Sequence, residues 1–274
     1  MFGAELRPPR AELETHEGMD AWIDTYHAIR RLTRLPPQGT FVFLTDSAVG
    51  AQEEDNLRHL VTNLGTDVPR ERIVPFLTAK HSREFCLSYA ERAHQHGFPA
   101  LVVLGGDKTV GAPRCVEHAW QLRQMLRARD LSVALGGWAN PHADPERQVD
   151  YLTAPDFGGE FYLTQIVSHH HADRVARFVD AADGRGLTLP GMFGVFFYRS
   201  ANPRTLEALK SFLPVPADQL TREFAAGATA EDICARTIRT LMDAGVRHFY
   251  VSNLPVSRAQ SVLAQILEKV GVTA

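Results

Sequence analysis

The 274 residues are 45% hydrophobic and 22% charged with a formal net charge of −3, a globular balance without the basic run that a nucleic-acid partner would need. Three widely separated cysteines, Cys86, Cys115 and Cys234, suit a reducing compartment and argue against a disulfide framework or a thiolate zinc site. No apolar run approaches the roughly 18 to 20 residues that span a bilayer, and the strand-like start lacks the features of a secretion signal, so a soluble, cytoplasmic protein without membrane attachment is expected, with homo-oligomers left open.

Short apolar runs recur along the chain, each followed by a longer stretch with helical spacing. In order they are MFGAEL, GTFVFLT, RIVPFLT, ALVVLGG, LSVALGG, EFYLTQI, GMFGVFF and HFYVSNL. Helical spacing covers Met19 to Thr33, Glu53 to Leu64, Ser82 to His96, Val116 to Arg129 and Ala172 to Ala182. Gly97 before Pro99, and Gly245 before Val246, supply helix stops. The stretch after the fifth run carries prolines and a glycine pair, which predicts a short helix. Between the last two runs Asn202 to Phe212, Ala217 to Phe224 and Thr229 to Ala244 allow three helices. Strand and helix alternation implies parallel pairing with right-handed crossovers. Eight runs is the count of a closed sheet, so the expected fold is a single (β/α)8 TIM barrel over residues 1–274, in preference to an open doubly wound sheet.

In such a barrel the reactive groups stand at the C-terminal ends of the strands. The run ends are polar here: Glu5, Thr45 with Asp46, Thr78 with Lys80, Gly106 with Asp107, Trp138 through Asn140, Thr164 with Gln165, and Ser252 with Asn253. They would converge on one mouth, although strand ends are also polar simply because they reach solvent. Glu5 is the sharpest of them. A carboxyl just inside the rim is partly desolvated, which favours its protonated form and suits proton donation near neutral pH. The plainer reading is an ion pair with Arg7 or Lys80. Asp107, after two glycines, fits a carboxylate aimed at a closely approaching ligand, and fits an aspartate-capped turn equally well.

VVLGGDKTVG lacks the spacing of a phosphate loop. SHHHADR invites a metal, yet consecutive helical side chains diverge by about 100° each, and no HExxH or cysteine-rich partner exists. Ser168 reads as a helix cap, and no metal site is expected. The aromatics of FGVFFY belong mostly to strand core, with Phe196 or Tyr198 available to stack on a planar ligand.

The ordered set resembles the methylenetetrahydrofolate reductase family. The resemblance runs from AELRPP, similar to the family's opening Glu-x-x-Pro-Pro, through FLTDSAVG, PFLTAK, VVLGGD, GGWANPH and YLTQ, to TLMDAGVRHFYVSNLP near the end. It implies a catalytic barrel alone, without the family's additional N-terminal helix or regulatory domain. It also implies reduction of 5,10-methylenetetrahydrofolate to 5-methyltetrahydrofolate by NAD(P)H, usually through bound FAD. By position, Glu5 resembles the general acid that protonates N10 as the ring opens. Asp107 resembles the aspartate between flavin and pterin, and Gln165 the glutamine that binds the folate. Thr45, Asp46, Ala48, Thr78, Gly106, Trp138 and His142 fall at positions lining the flavin or nicotinamide.

The chain departs from the family pattern in several places. Phe76 stands where the third strand often has histidine, Gly105 where arginine precedes Gly-Asp, and Leu254 where arginine follows the last asparagine, with Arg258 as a substitute. Basic residues that meet the FAD phosphates are missing near the fifth helix. These departures open three alternatives: direct hydride transfer without flavin, another tetrahydrofolate-dependent one-carbon transfer, or a non-catalytic barrel subunit.

Overall fold

Each apolar run becomes a strand: β1 (Phe2–Leu6), β2 (Phe41–Leu44), β3 (Ile73–Thr78), β4 (Ala100–Leu104), β5 (Ala134–Ala139), β6 (Phe161–Val167), β7 (Gly191–Phe196) and β8 (Phe249–Ser252). The structure is a computed structural model describing residues 1–10, 12–35, 39–46, 56–109 and 111–272. Every strand pairs in parallel with the next, and β1 pairs with β8 to close the barrel. The expected (β/α)8 fold is the one observed. Strands buried on both faces explain why the runs are continuously apolar instead of alternating with charge.

The helices follow the strands as anticipated. They are α1 (Thr15–Leu32), α2 (Asn56–Asn63), α3 (Arg83–Gln95), α4 (Ala119–Arg127), α5 (Pro145–Thr153), α6 (Ala172–Gly184), α7 (Pro203–Lys210), α8 (Ala217–Ala225), α9 (Ala230–Asp243) and α10 (Ala259–Val270). The part of the expected second helix before Asn56 lies outside the described residues. The closing helix α10 was not among the sequence-based expectations, although its Val262, Leu263, Ile266 and Leu267 form a buried stripe. In α5 the prolines do little damage: Pro145 occupies the first turn, where its missing N–H costs nothing, and the Asp144 side chain caps the Arg147 amide at 2.8 Å.

Alternation along each strand divides the apolar residues between two layers. Phe43, Val74, Phe76, Val102, Leu163, Ile166, Met192 and Tyr250 fill the barrel interior. Ala4, Leu6, Val42, Leu44, Val103 and Val251 join helix residues such as Ile29, Leu32 and Leu263 in the outer layer. A satellite cluster of Tyr198, Leu206, Leu220 and Ile233 lies under the inserted α7 and α8.

A charged residue is built into the outer layer. Arg123 of α4 is fully buried. Its guanidinium donates to the carbonyls of Phe157 at 2.7 Å and Val103 at 3.2 Å and to the Tyr151 hydroxyl at 3.3 Å, and lies over the Phe157 ring at 4.5 Å. It thereby pins the Gly-rich segment between α5 and β6 to the back of β4. The substitution Arg123→Met keeps the stem but orphans those acceptors, so urea denaturation should report a loss of roughly 3 kcal/mol. A loss below about 1 kcal/mol would show that the guanidinium is not the anchor.

Candidate functional site

The first strand decides where the mouth's carboxylate goes. Ala4 and Leu6 point into the outer layer, so Gly3 and Glu5 occupy the opposite, inward face. A methyl group at Gly3 would stand 2.6 Å from the Phe43 ring and 3.2 Å from Met192, both barrel-interior residues. Glu5 therefore faces the barrel interior, one pleat above Gly3, and its Oε1 accepts a hydrogen bond from Ser252 Oγ at 2.6 Å across the closing seam. Below it Tyr250 donates to the Thr164 carbonyl at 2.6 Å. Burial pushes the Tyr250 phenol well above its usual pKa, and the neighbouring Glu5 charge adds to that shift.

The β4 end supplies the second carboxylate. Asp107 is half-buried, and its Oδ1 accepts from the Thr109 amide at 2.7 Å and the Thr109 hydroxyl at 2.8 Å. This is the aspartate turn that the local sequence allowed. Gly106 has φ of +74°, and a methyl group there would meet the Lys80 stem at 2.8 Å, so only glycine fits. Lys80 itself reaches the Ala112 carbonyl at 2.9 Å. Arg114, from the loop that follows, donates to the Gly106 carbonyl. Its guanidinium lies 2.8 Å from where a side chain at Gly105 would begin. A cation thus stands beside position 105 even though the residue there is glycine.

At the ends of β2 and β3 the polar residues hold one another. Asp46 Oδ2 accepts from the Thr78 amide at 2.7 Å and its hydroxyl at 2.9 Å, and His81 Nε2 lies 2.8 Å from the same carboxylate. The Thr45 hydroxyl is buried without a hydrogen-bond partner among the described residues. Ala48 lies outside the described residues.

Across the mouth, Trp138 packs on the interior cluster. The β6–β7 ladder shifts register between Leu163 and Ile166. At this bulge the Thr164 hydroxyl accepts from the Gly194 amide at 3.1 Å, and Gln165 Oε1 turns back to the Ile166 amide at 2.9 Å. His142 Nε2 donates to the Ile166 carbonyl at 2.8 Å, and its buried Nδ1 has no partner among the described residues. Burial, the largest influence, lowers the His142 pKa.

The histidine run behaves differently from the helical expectation. Ser168 does cap the turn, accepting from the His170 amide at 3.3 Å, but His169–His171 form a 3-10 turn before α6 begins. His171 goes one way, edge-on to His142 with ring centres 5.0 Å apart. Burial, with His142 and Arg174 nearby, pushes its pKa down to about 4. His169 and His170 go the other way and meet Glu223 of α8, at 3.0 Å and 3.3 Å. Burial alone would raise the Glu223 pKa, but the two histidines outweigh it and hold the carboxyl below its usual range. No local signal could have found Glu223, which lies in a helix of the β7–β8 insertion, far along the chain.

Of the two aromatics expected to stack on a ligand, Phe196 sits at the border of the interior and satellite clusters, with Tyr198 4.8 Å from it. Tyr198 belongs to the core beneath α7 and α8 rather than to the mouth. It is 5% exposed, and its hydroxyl is buried without a partner among the described residues. Arg199, also missed from sequence, donates to the Asn253 carbonyl at 3.1 Å and brings a guanidinium to the β8 end, where Leu254 is buried. Tyr250 was legible in principle: it lies two residues before Ser252, on the same inward face of β8.

Fold and rim together define a (β/α)8 barrel with polar groups from several strands gathered at one mouth, the end at which barrels of this class build their chemistry. No protein-family model matches the chain, and no curated protein matches it. Among the described residues no helix is long and apolar enough to cross a membrane.

Because the buried Tyr198 hydroxyl makes no hydrogen bond among the described residues, Tyr198→Phe should raise the stability by about 1 kcal/mol, read as a higher urea midpoint with an unchanged slope. A fall in stability would mean that the hydroxyl has a partner after all.

Proposed function

We propose that the barrel reduces a tetrahydrofolate-type substrate, 5,10-methylenetetrahydrofolate, to its 5-methyl form with NAD(P)H as reductant. The observation that carries this reading is the placement of Glu5. It stands inside the rim on an otherwise apolar wall of Phe43 and Tyr250, with Ser252 holding one oxygen at 2.6 Å. Opening the imidazolidine ring breaks the bond from the bridging carbon to N10, leaves an iminium at N5, and requires a proton at N10. Glu5 donates that proton. The carboxylate left behind then faces the iminium across a low-dielectric mouth, where opposite charges attract strongly. Hydride from the nicotinamide completes the methyl group, so one proton and one hydride are consumed per substrate.

The described side chains favour a reading without a flavin dinucleotide. Three of those assigned to it by resemblance are engaged within the protein: the Asp46 carboxylate holds Thr78 and His81, and His142 Nε2 binds the Ile166 carbonyl. Arg123, a cation close to the glycine pair, is buried and spends its donors on Phe157, Val103 and Tyr151. A diphosphate bound at Arg123 would have to break those contacts, and charge-assisted hydrogen bonds are worth roughly 1.5 to 3 kcal/mol apiece. The reading is therefore direct transfer from the nicotinamide, with Gln165 and Asp107 at the substrate and Trp138 as an apolar wall.

The test is NAD(P)H oxidation by the purified protein with methylenetetrahydrofolate, with and without added FAD. Wild type should be colourless and active, with a rate indifferent to FAD, and Glu5→Gln should lower kcat by about 10²- to 10⁴-fold. A flavin absorption band overturns direct transfer, and full turnover by Glu5→Gln overturns the acid.

A further inference from the structure

The geometry points to a divalent transition-metal site of the zinc class on His169, His170 and Glu223, between the exit of β6 and the inserted helix α8. It is independent of the folate reading. One ligand atom from each residue lies within 4.8 Å of the others. His169 Nε2 stands 3.0 Å from Glu223 Oε1, and His170 Nε2 stands 3.3 Å from Oε2. Ligands held about 2.0–2.1 Å from a tetrahedral zinc are separated by roughly 3.3 Å, and each histidine nitrogen stands near that distance from one oxygen of the Glu223 carboxylate. Two imidazoles and one carboxylate form a donor set that zinc accepts with its fourth position open to water or another oxygen ligand.

Hydrogen bonding around the cluster orients its ligands. The Thr237 hydroxyl has a single proton and donates it to the Ile233 carbonyl at 3.0 Å. It therefore accepts from His169 Nδ1, 2.8 Å away, and Thr237 is itself buried. With the proton on Nδ1, the Nε2 lone pair faces a carboxylate oxygen at contact distance. A metal bound there would take that lone pair together with an oxygen of the carboxylate. Thr237 then acts as the outer hydrogen bond that orients a ligating histidine, and Arg236, paired with Glu223, fixes the carboxylate.

The divergence of consecutive helical side chains does not apply to this turn. Ser168 caps a 3-10 turn, in which the histidines are not bound to helical directions, and only two of the three converge.

The experiment is a Co²⁺ titration of the untagged, chelator-treated full chain, followed by visible d–d absorption and then by Zn²⁺ displacement. Saturation at one equivalent is expected, with affinity falling at least 10-fold in His169→Ala, His170→Ala and Glu223→Ala, and about 10- to 100-fold in Thr237→Val. His171→Ala, whose ring turns to His142, should bind as wild type does. X-ray absorption of the zinc-loaded wild type should show two imidazoles and oxygen, a readout that does not depend on any variant folding. No saturable binding, equal binding by the folded ligand variants, or a zinc shell without imidazole overturns the site.

Discussion

The pairing of β1 with β8 is the contact on which the mouth depends. Phe2, Gly3 and Ala4 register against Phe249, Tyr250 and Val251, and that alignment carries Glu5 to Ser252. A slip of one residue would turn every β1 side chain over. Glu5 would then enter the layer packed against the helices, while Leu6 would leave it for the rim. The penalty for burying an unpaired carboxylate in that layer is severe, and Ala4 and Leu6 are almost wholly buried there. The apolar pair therefore sets the register and the carboxylate follows. Gly3 completes the device, because a larger residue opposite Tyr250 would collide with Phe43.

Around this seam most rim groups are held by neighbours. Asp46 binds Thr78, Asp107 binds Thr109, Arg114 binds Gly106, and Arg199 binds Asn253. Such a rim is preorganised, since each polar side chain keeps its direction before any ligand arrives. It also limits what the rim can grip, because a donor already satisfied gains little by exchanging one acceptor for another.

The architecture was legible because it rests on repetition. Eight apolar runs, each followed by helical spacing, leave few topologies that obey right-handed crossover, and the structure forms each strand where its run stands. Glu5 was legible for a related reason: a single acidic residue in a short apolar strand has two faces to choose between, and its neighbours choose for it. Local patterns gave less where side chains pair across long separations. Asp107 looked equally like a turn residue and a ligand-facing carboxylate, and its bonds to Thr109 establish the turn. Tyr198 was one of two aromatics expected to stack on a planar ligand, but α7 and α8 fold over it and make it core. Arg114 beside Gly105 restores a cation that the residue at that position lacks, and nothing in the intervening loop announces it.

The same limit explains the histidines, and it ties both ends of the mouth to one strand. A helix would splay three consecutive rings, which makes a shared ligand set implausible from sequence. In the structure β6 does not run straight into its helix. It bulges at Thr164 and Gln165, where Tyr250 and Gly194 hold Thr164 from both sides. It then presents the Ile166 carbonyl to His142 and exits through Ser168 into a 3-10 turn. Tyr250, which fixes the bulge, lies directly beneath Glu5. The strand that positions Gln165 therefore also sets the origin of the turn carrying His169 and His170. A change that straightened β6 would shift Gln165 and both histidines together while leaving the β1–β8 seam intact. The rim groups and the histidine–glutamate cluster share a framework without sharing a residue.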